Sequence, residues 1–301
     1  MIRVKKYGRF YIKKRGGCDY LTEEDFFVLD TMTWSFSRLN SFYNCPHEWY
    51  ERYVNCQSGE SGFFGEFGSC CHSVLEQYAK GEISLFEVSQ AYEDKFAEVV
   101  VHNAPPNKYV DLRQSYFDKG MDYFDNIDLN LDDYEILGVE KEVRFKIADK
   151  DFVGFIDLLL REKATGKIII LDHKSASIKI LKNGNVSKTD QEHVKEFIRQ
   201  LCLYAIPTIE EYGKVDELWW NLFKERKWLK IPWNEEIHNE AIKWAEDTIS
   251  LIEKETEFPC NPDYYYCWNL CSQRNNACPY KPQPISKSDD KTYNPETGCY
   301  E

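Results

Sequence analysis

Several features that would decide the class of this chain at once are missing. No apolar run approaches the roughly 18 residues of a membrane span, and the longest candidates are interrupted by Asp157 and Asp172. The basic start leads into no apolar stretch, so a secretory signal is not expected. A Gly-x-x-x-x-Gly-Lys-Ser/Thr loop is absent, as are internal repeats and long linkers. The cysteines number 11, an odd count that, without an export signal, argues against a disulfide framework. These absences predict a soluble, cytoplasmic protein.

What is present is ample. With 301 residues, 43% hydrophobic and 15% aromatic, the chain can bury one large core, or a core with a lobe. Its net charge is −13, yet residues 1–18 hold Arg3, Lys5, Lys6, Arg9, Lys13, Lys14 and Arg15 and no acid. Such an acidic body does not bind polyanions over its whole surface; a local basic strip, metal ions or a partner must do so. The basic arm also reads as a flexible, solvated tail.

Hydrophobic spacing predicts helices over residues 34–54, 65–80, 84–101 and 108–124, the second starting in a Gly-rich turn and the last two split by Pro105 and Pro106. From residue 134 to 147, Val139, Val143, Phe145 and Ile147 alternate with Glu140, Glu142, Arg144 and Lys146, the pattern of a half-buried strand. Strands at 152–160 and 168–171 follow, the latter apolar enough for the centre of a sheet. A polar loop, a helix over 193–212, strands at 217–223 and 228–231, and a closing helix over 234–255 complete an α/β order: a mixed sheet with helical flanks.

Chemistry concentrates in the middle. Asp157 interrupts Gly154-Phe155-Ile156-Asp157-Leu158, and Asp172-His173-Lys174 follows Ile169-Ile170-Leu171. Carboxylates buried in such strands need a cation or hydrogen bonds, and two on neighbouring strands can converge on one divalent ion. Lys174 shares a face with Asp172, where its ammonium can stabilise anionic charge; a plain buried Asp172–Lys174 ion pair is the alternative. His72, after Gly68-Ser69-Cys70-Cys71, can reach a metal from a helix or serve as a cap or core residue. Gln200 and Tyr204 share a helix face and could be ordinary helix surface.

In order along the chain, these residues resemble the RecB-type nucleases of the PD-(D/E)XK superfamily. The family's Ser-x-Ser-x-Leu and Cys-Pro correspond to Ser35, Ser37, Leu39, Cys45 and Pro46. Its Gly-x-x-x-His, Gly-x-x-Asp, Asp-x-Lys and Gln-x-x-x-Tyr correspond to Gly68 and His72, Gly154 and Asp157, Asp172 and Lys174, and Gln200 and Tyr204. The resemblance spans roughly residues 33–281. It implies the restriction-endonuclease-like fold and Mg²⁺ or Mn²⁺ held by His72, Asp157, Asp172 and the backbone carbonyl of His173. It further implies Lys174 as the group that positions or activates the attacking water, with Gln200 and Tyr204 on the DNA strand. Glu140 or Glu142 is a further acid, between which spacing does not choose; a solvated strand face is the other reading of both.

The last part of the chain holds Cys260, Cys267, Cys271 and Cys278. Thiols so close in an intracellular chain suggest a metal centre. The iron–sulfur branch of the family, which includes AddB-type nucleases and CRISPR-adaptation exonucleases, implies Cys45, Cys267, Cys271 and Cys278 around a 4Fe–4S cluster. Its common trio is Cys-x₂-Cys-x₅-Cys, and each gap is one residue longer here. Cys260 as a substitute ligand, zinc in a Cys₄ site, and free thiols stay open. The expected organisation is a basic arm and lead-in (1–32), a helical region with Cys45 and His72 (33–130), the nuclease core (131–257), a Cys-rich lobe (258–281) and a tail (282–301).

The function these features predict is a Mg/Mn-dependent deoxyribonuclease, an exonuclease on single-stranded or frayed DNA ends. Two other classes compete: a catalytically inactive DNA-end-binding or assembly subunit of a repair, recombination or CRISPR-adaptation complex, and an iron–sulfur redox protein. The intact set of acids and Lys174 argues against the first, and the lack of a redox partner site against the second. Any unwinding is expected from a partner chain that supplies helicase action or DNA grip, and no membrane is involved.

Overall fold

A computed structural model describes residues 28–181, 186–276 and 278–281, together with the backbone of four short terminal strands. Two of these, β1 (Ile2–Lys6) and β2 (Arg9–Lys13), pair antiparallel, so the backbone of the basic arm is a hairpin and not a featureless tail. Its basic side chains and Cys18 lie outside the described residues, as does most of the tail beyond residue 281.

The first long helical stretch is two helices. In α1 (Phe36–Asn44), Ser35 caps the start by accepting from the Arg38 backbone at 3.2 Å. Cys45 then adopts an extended backbone, φ −159°, and α2 (Pro46–Tyr53) begins on the proline. The ring of Pro46 keeps its predecessor out of helical geometry and has no N–H to continue α1, which is why the expected single helix over 34–54 breaks there.

The helix α3 (Phe63–Ala79) starts earlier than its glycines suggest. Phe63 and Phe67 are buried in the core, and Gly65 and Gly68 lie within the helix, so His72 stands at mid-helix. Two more helices, α4 (Val88–Val99) and α5 (Leu112–Asp125), pack beside it.

The central sheet has five strands in the order β3-β4-β5-β6-β7: β3 (Tyr134–Ile147), β4 (Lys150–Glu162), β5 (Ile168–His173), β6 (Glu217–Leu222) and β7 (Lys227–Pro232). All pairs are antiparallel except β5 with β6, which are joined through α6 (Gln191–Tyr212). The chain then forms α7 (Glu235–Lys254). β5 is buried along its length, as its apolar run predicts, because it feeds two cores at once. Ile168 and Ile170 pack with Leu201, Trp220 and Ile249 on the α6–α7 face; Ile169 and Leu171 pack with Phe67, Leu75 and Tyr123 on the α3–α5 face.

The alternation of β3 and β4 is not uniform. Phe152 and Ile156 face the α6–α7 core, whereas Leu158 and Leu160 face the α3–α5 core. On β3, Val143, Phe145 and Ile147 face the first core while Val139 packs on the second. Both strands therefore change face between these residues, and Asp157 and Glu140 stand at the change. Glu140 carries φ 47°, a left-handed conformation uncommon outside glycine. No described helix is long and apolar enough to cross a membrane.

Candidate active site and a thiol-lined cavity

The face change on β3 and β4 opens beside the end of β5. The β4–β5 ladder runs up to Leu158 with Leu171 and leaves Asp157 and Asp172 adjacent just past it. There Asp157 Oδ2 accepts a hydrogen bond from the His173 backbone N–H at 2.7 Å. From α3, His72 brings Nδ1 to 3.4 Å from the same oxygen. Ligand atoms of His72, Glu140 and Asp157 all lie within 4.8 Å of one another, a spacing suited to one cation.

The electrostatics fit that use. Burial, and next the charge of Asp172, hold the Asp157 carboxyl well above the ordinary carboxylate range. Burial and then Glu76 push Glu140 up, while burial pushes the His72 imidazole down, towards the neutral form that ligates metals. The cluster is thus short of positive charge. Asp172 Oδ2 is buried without an aligned hydrogen bond, although Lys174 Nζ is 2.8 Å away as an ion pair. Carboxylates pushed towards protonation by burial and by neighbouring acids are the donor set that a hard dication satisfies.

Among the acids left open by spacing, Glu140 joins the cluster. Glu142 is exposed and pairs with Arg144 at 2.7 Å. The backbone kink that turns Glu140 inward has no signature in the local sequence. Asp172 and the backbone of His173 sit at the same end of β5, but Asp172 is occupied by Lys174 and by the Gln200 amide, which donates to its Oδ1 at 3.1 Å.

The structure places Gln200 and Tyr204 against the other residues of the site. Gln200 Oε1 accepts from Lys174 Nζ at 2.8 Å while its Nε2 serves Asp172, so the amide holds the lysine and the acid in one frame. Tyr204 is 6% exposed and lies flat against Gly154, where any Cβ would collide with its ring. Both residues work on their neighbours, and Gly154 is required because Tyr204 needs its space.

A second site lies at the far end of the chain. A cavity of about 340 Å³ is lined by Cys45, Cys260, Cys267, Cys271 and Cys278, with Glu48 among the polar neighbours. Cys45 and Cys260 bring their Sγ atoms to 4.0 Å. Burial pushes the Cys260 thiol up, followed by Cys45, and burial and then Glu48 push Cys271 up to about 12. Cys267 stands in a π-helical turn, Tyr266–Leu270, anchored by Tyr266 donating to buried Glu48 at 2.5 Å. Arg274, also buried, donates to the Glu60 carbonyl at 2.8 Å and to that of Ser61, tying the lobe to the segment that enters α3.

The model of the PD-(D/E)XK nuclease superfamily matches residues 33–283 of the chain. No curated protein matches it. Among solved structures, it is similar to a "Putative exonuclease" from Eubacterium rectale, with 13% identity, a TM-score of 0.48, and coverage of 88% of this chain and 96% of that one.

Proposed function

The chain belongs to the PD-(D/E)XK nuclease superfamily, and on that premise we propose that it is a RecB-type, Mg²⁺- or Mn²⁺-dependent deoxyribonuclease. It acts in the cytoplasm as an exonuclease on single-stranded or frayed DNA ends. The observation that carries this reading is the convergence of His72, Glu140 and Asp157 within 4.8 Å, beside Asp172 and Lys174.

His72, Glu140 and Asp157 would hold the cation, with Asp172 and the His173 backbone carbonyl as further candidate ligands. The ion supplies Lewis acidity to the phosphodiester and to the water that attacks it. Lys174, steadied by Gln200, presents a fixed ammonium to the anionic phosphoryl oxygens as their charge grows. Tyr204 and Gly154 set the height of that frame over β4. A net charge of −13 leaves the body poor in DNA grip, which favours a partner that delivers the strand or unwinds it.

Digestion of 5′- and 3′-labelled single strands with Mg²⁺ or Mn²⁺ tests this. Wild-type protein is expected to release short products from one end, and Asp172→Ala or Lys174→Ala to release none while remaining folded. Undiminished cleavage by either variant refutes the assignment. No product from wild type under any metal favours the DNA-end-binding subunit.

For the thiol cavity we propose a 4Fe–4S cluster on Cys45, Cys267, Cys271 and Cys278, with zinc as the second reading. Five thiols on one cavity support a thiophilic group, and the contact of Cys260 with Cys45 makes it the substitute ligand. Anaerobic purification followed by metal analysis and a visible spectrum decides: iron with charge-transfer absorption is expected, zinc selects the second reading, and neither metal overturns both.

A further inference from the structure

Behind the acid cluster runs a buried polar chain that the reaction as described does not use. Tyr123 projects from α5, Asn221 from β6 and His173 from the end of β5, where the parallel register sets His173 beside Asn221. Asn221 Nδ2 donates to Tyr123 Oη at 2.6 Å and lies 3.0 Å from His173 Nδ1. All three side chains belong to residues no more than 4% exposed. The ring of His173 in turn meets the ring of His72 edge to face, with centroids 5.7 Å apart and planes at 90°.

Proton accounting restricts this arrangement. An amide nitrogen is a donor only, so His173 Nδ1 must accept, and a neutral imidazole then carries its proton on Nε2. Three polar groups at this depth cost more to bury than an apolar trio of the same shape, unless their mutual bonds fix something that packing alone would leave loose. The element they reach is His72, whose imidazole lies 3.4 Å from Asp157 and is also hydrogen-bonded to the backbone of His173, the residue whose ring the trio fixes.

We propose that Tyr123 and Asn221 lock His173 as its Nε2–H tautomer, and that the locked ring holds the His72 imidazole in the orientation from which it ligates the divalent cation. His173 and Asn221 are then positioning residues, part of the outer shell that such ligands require. This inference rests on the reading of His72 as a metal ligand.

The test is Mn²⁺ affinity, measured by electron paramagnetic resonance on DNA-free protein. Asn221→Leu, which keeps the volume and removes the amide, is expected to weaken binding by about 10–100-fold. Tyr123→Phe should weaken it several-fold, and serves if Asn221→Leu does not fold. Nitrogen-15 NMR of wild type should show His173 protonated on Nε2. Wild-type Mn²⁺ affinity in a folded variant, or a His173 proton on Nδ1, overturns the inference alone. Wild-type protein that binds no Mn²⁺ overturns the ligand assignment of His72 and this inference with it.

Discussion

The acid cluster at the end of β5 and the thiol cavity are built on opposite terms. The first gathers side chains from elements that the sheet and α3 already hold in place, and its groups sit uneasily: Asp157 and Glu140 are pushed up by burial and by one another's neighbours. The second gathers thiols from segments outside the sheet, whose anchors include Glu48 and Arg274. Buried thiols resist ionisation but lie comfortably as neutral groups. The fold therefore makes the first site and tolerates its cost, whereas the group proposed for the second would help make the fold. A ligand lost from the one should spare stability; a ligand lost from the other should not.

Four substitutions, in falling order of effect, and one control test that contrast. Asp157→Asn should lower cleavage at least about a thousandfold and yet raise the melting temperature of the metal-free protein. The sign follows from linkage: a carboxyl raised above its unfolded value near 3.8 destabilises the fold at pH values above its folded value, and the penalty fades as pH falls through it. A cleavage assay reads the first effect and calorimetry across pH 4 to 8 the second, and a lowered melting temperature would undo the contrast.

Next comes Cys45→Ala. Were a metal group bound at the cavity, its loss should lower the melting temperature by about 10 °C or more, since it would tie Cys45 to the far end of the chain. Cys202→Ala, at a thiol buried in the core away from the cavity, should leave the metal content unchanged.

Gly154→Ala is smaller. Its methyl meets the Tyr204 ring, an overpacking of about 1–3 kcal/mol, and the displaced ring should slow cleavage with little change in KM. Chemical denaturation and steady-state kinetics measure the two parts.

The smallest effect sharpens the comparison from outside either site. Glu66 is a buried carboxylate whose charge is met by the backbone and ring of His102, and it is held below its ordinary value despite burial. Its stabilisation is present above about pH 4.5 and is lost as pH falls through the lower folded value. Glu66→Gln should cost about 1–2 kcal/mol at pH 7 and less as pH falls through the lower folded value, the reverse of Asp157→Asn.

Much of this architecture was legible in the sequence. Strand β3 runs over the residues that its alternation marks, and the apolar β5 lies at the sheet centre. The break at Cys45 was available too, in Pro46, but the apolar spacing of Phe36, Leu39 and Phe42 continues across it and hides it. What no local pattern carries is pairing between distant segments. The face change at Glu140 and Asp157 arises from two strands jointly, so alternation could not choose between Glu140 and Glu142. Gln200 and Tyr204 look like surface on a helical wheel and turn inward because Gly154 and Lys174 wait there. The role of Cys260 depends on a neighbour 215 positions earlier.

That separation has a consequence for the unfolded chain. Cys45 precedes the whole sheet, and the other four thiols of the cavity follow it. A group bonded to both sides closes a ring of about 215 residues, and such a closure removes roughly 5 kcal/mol of denatured-state entropy. Its largest service would then be rendered while the protein is unfolded, by forbidding the ensemble from expanding, and the loaded protein should refold from a looped coil whose two ends never part.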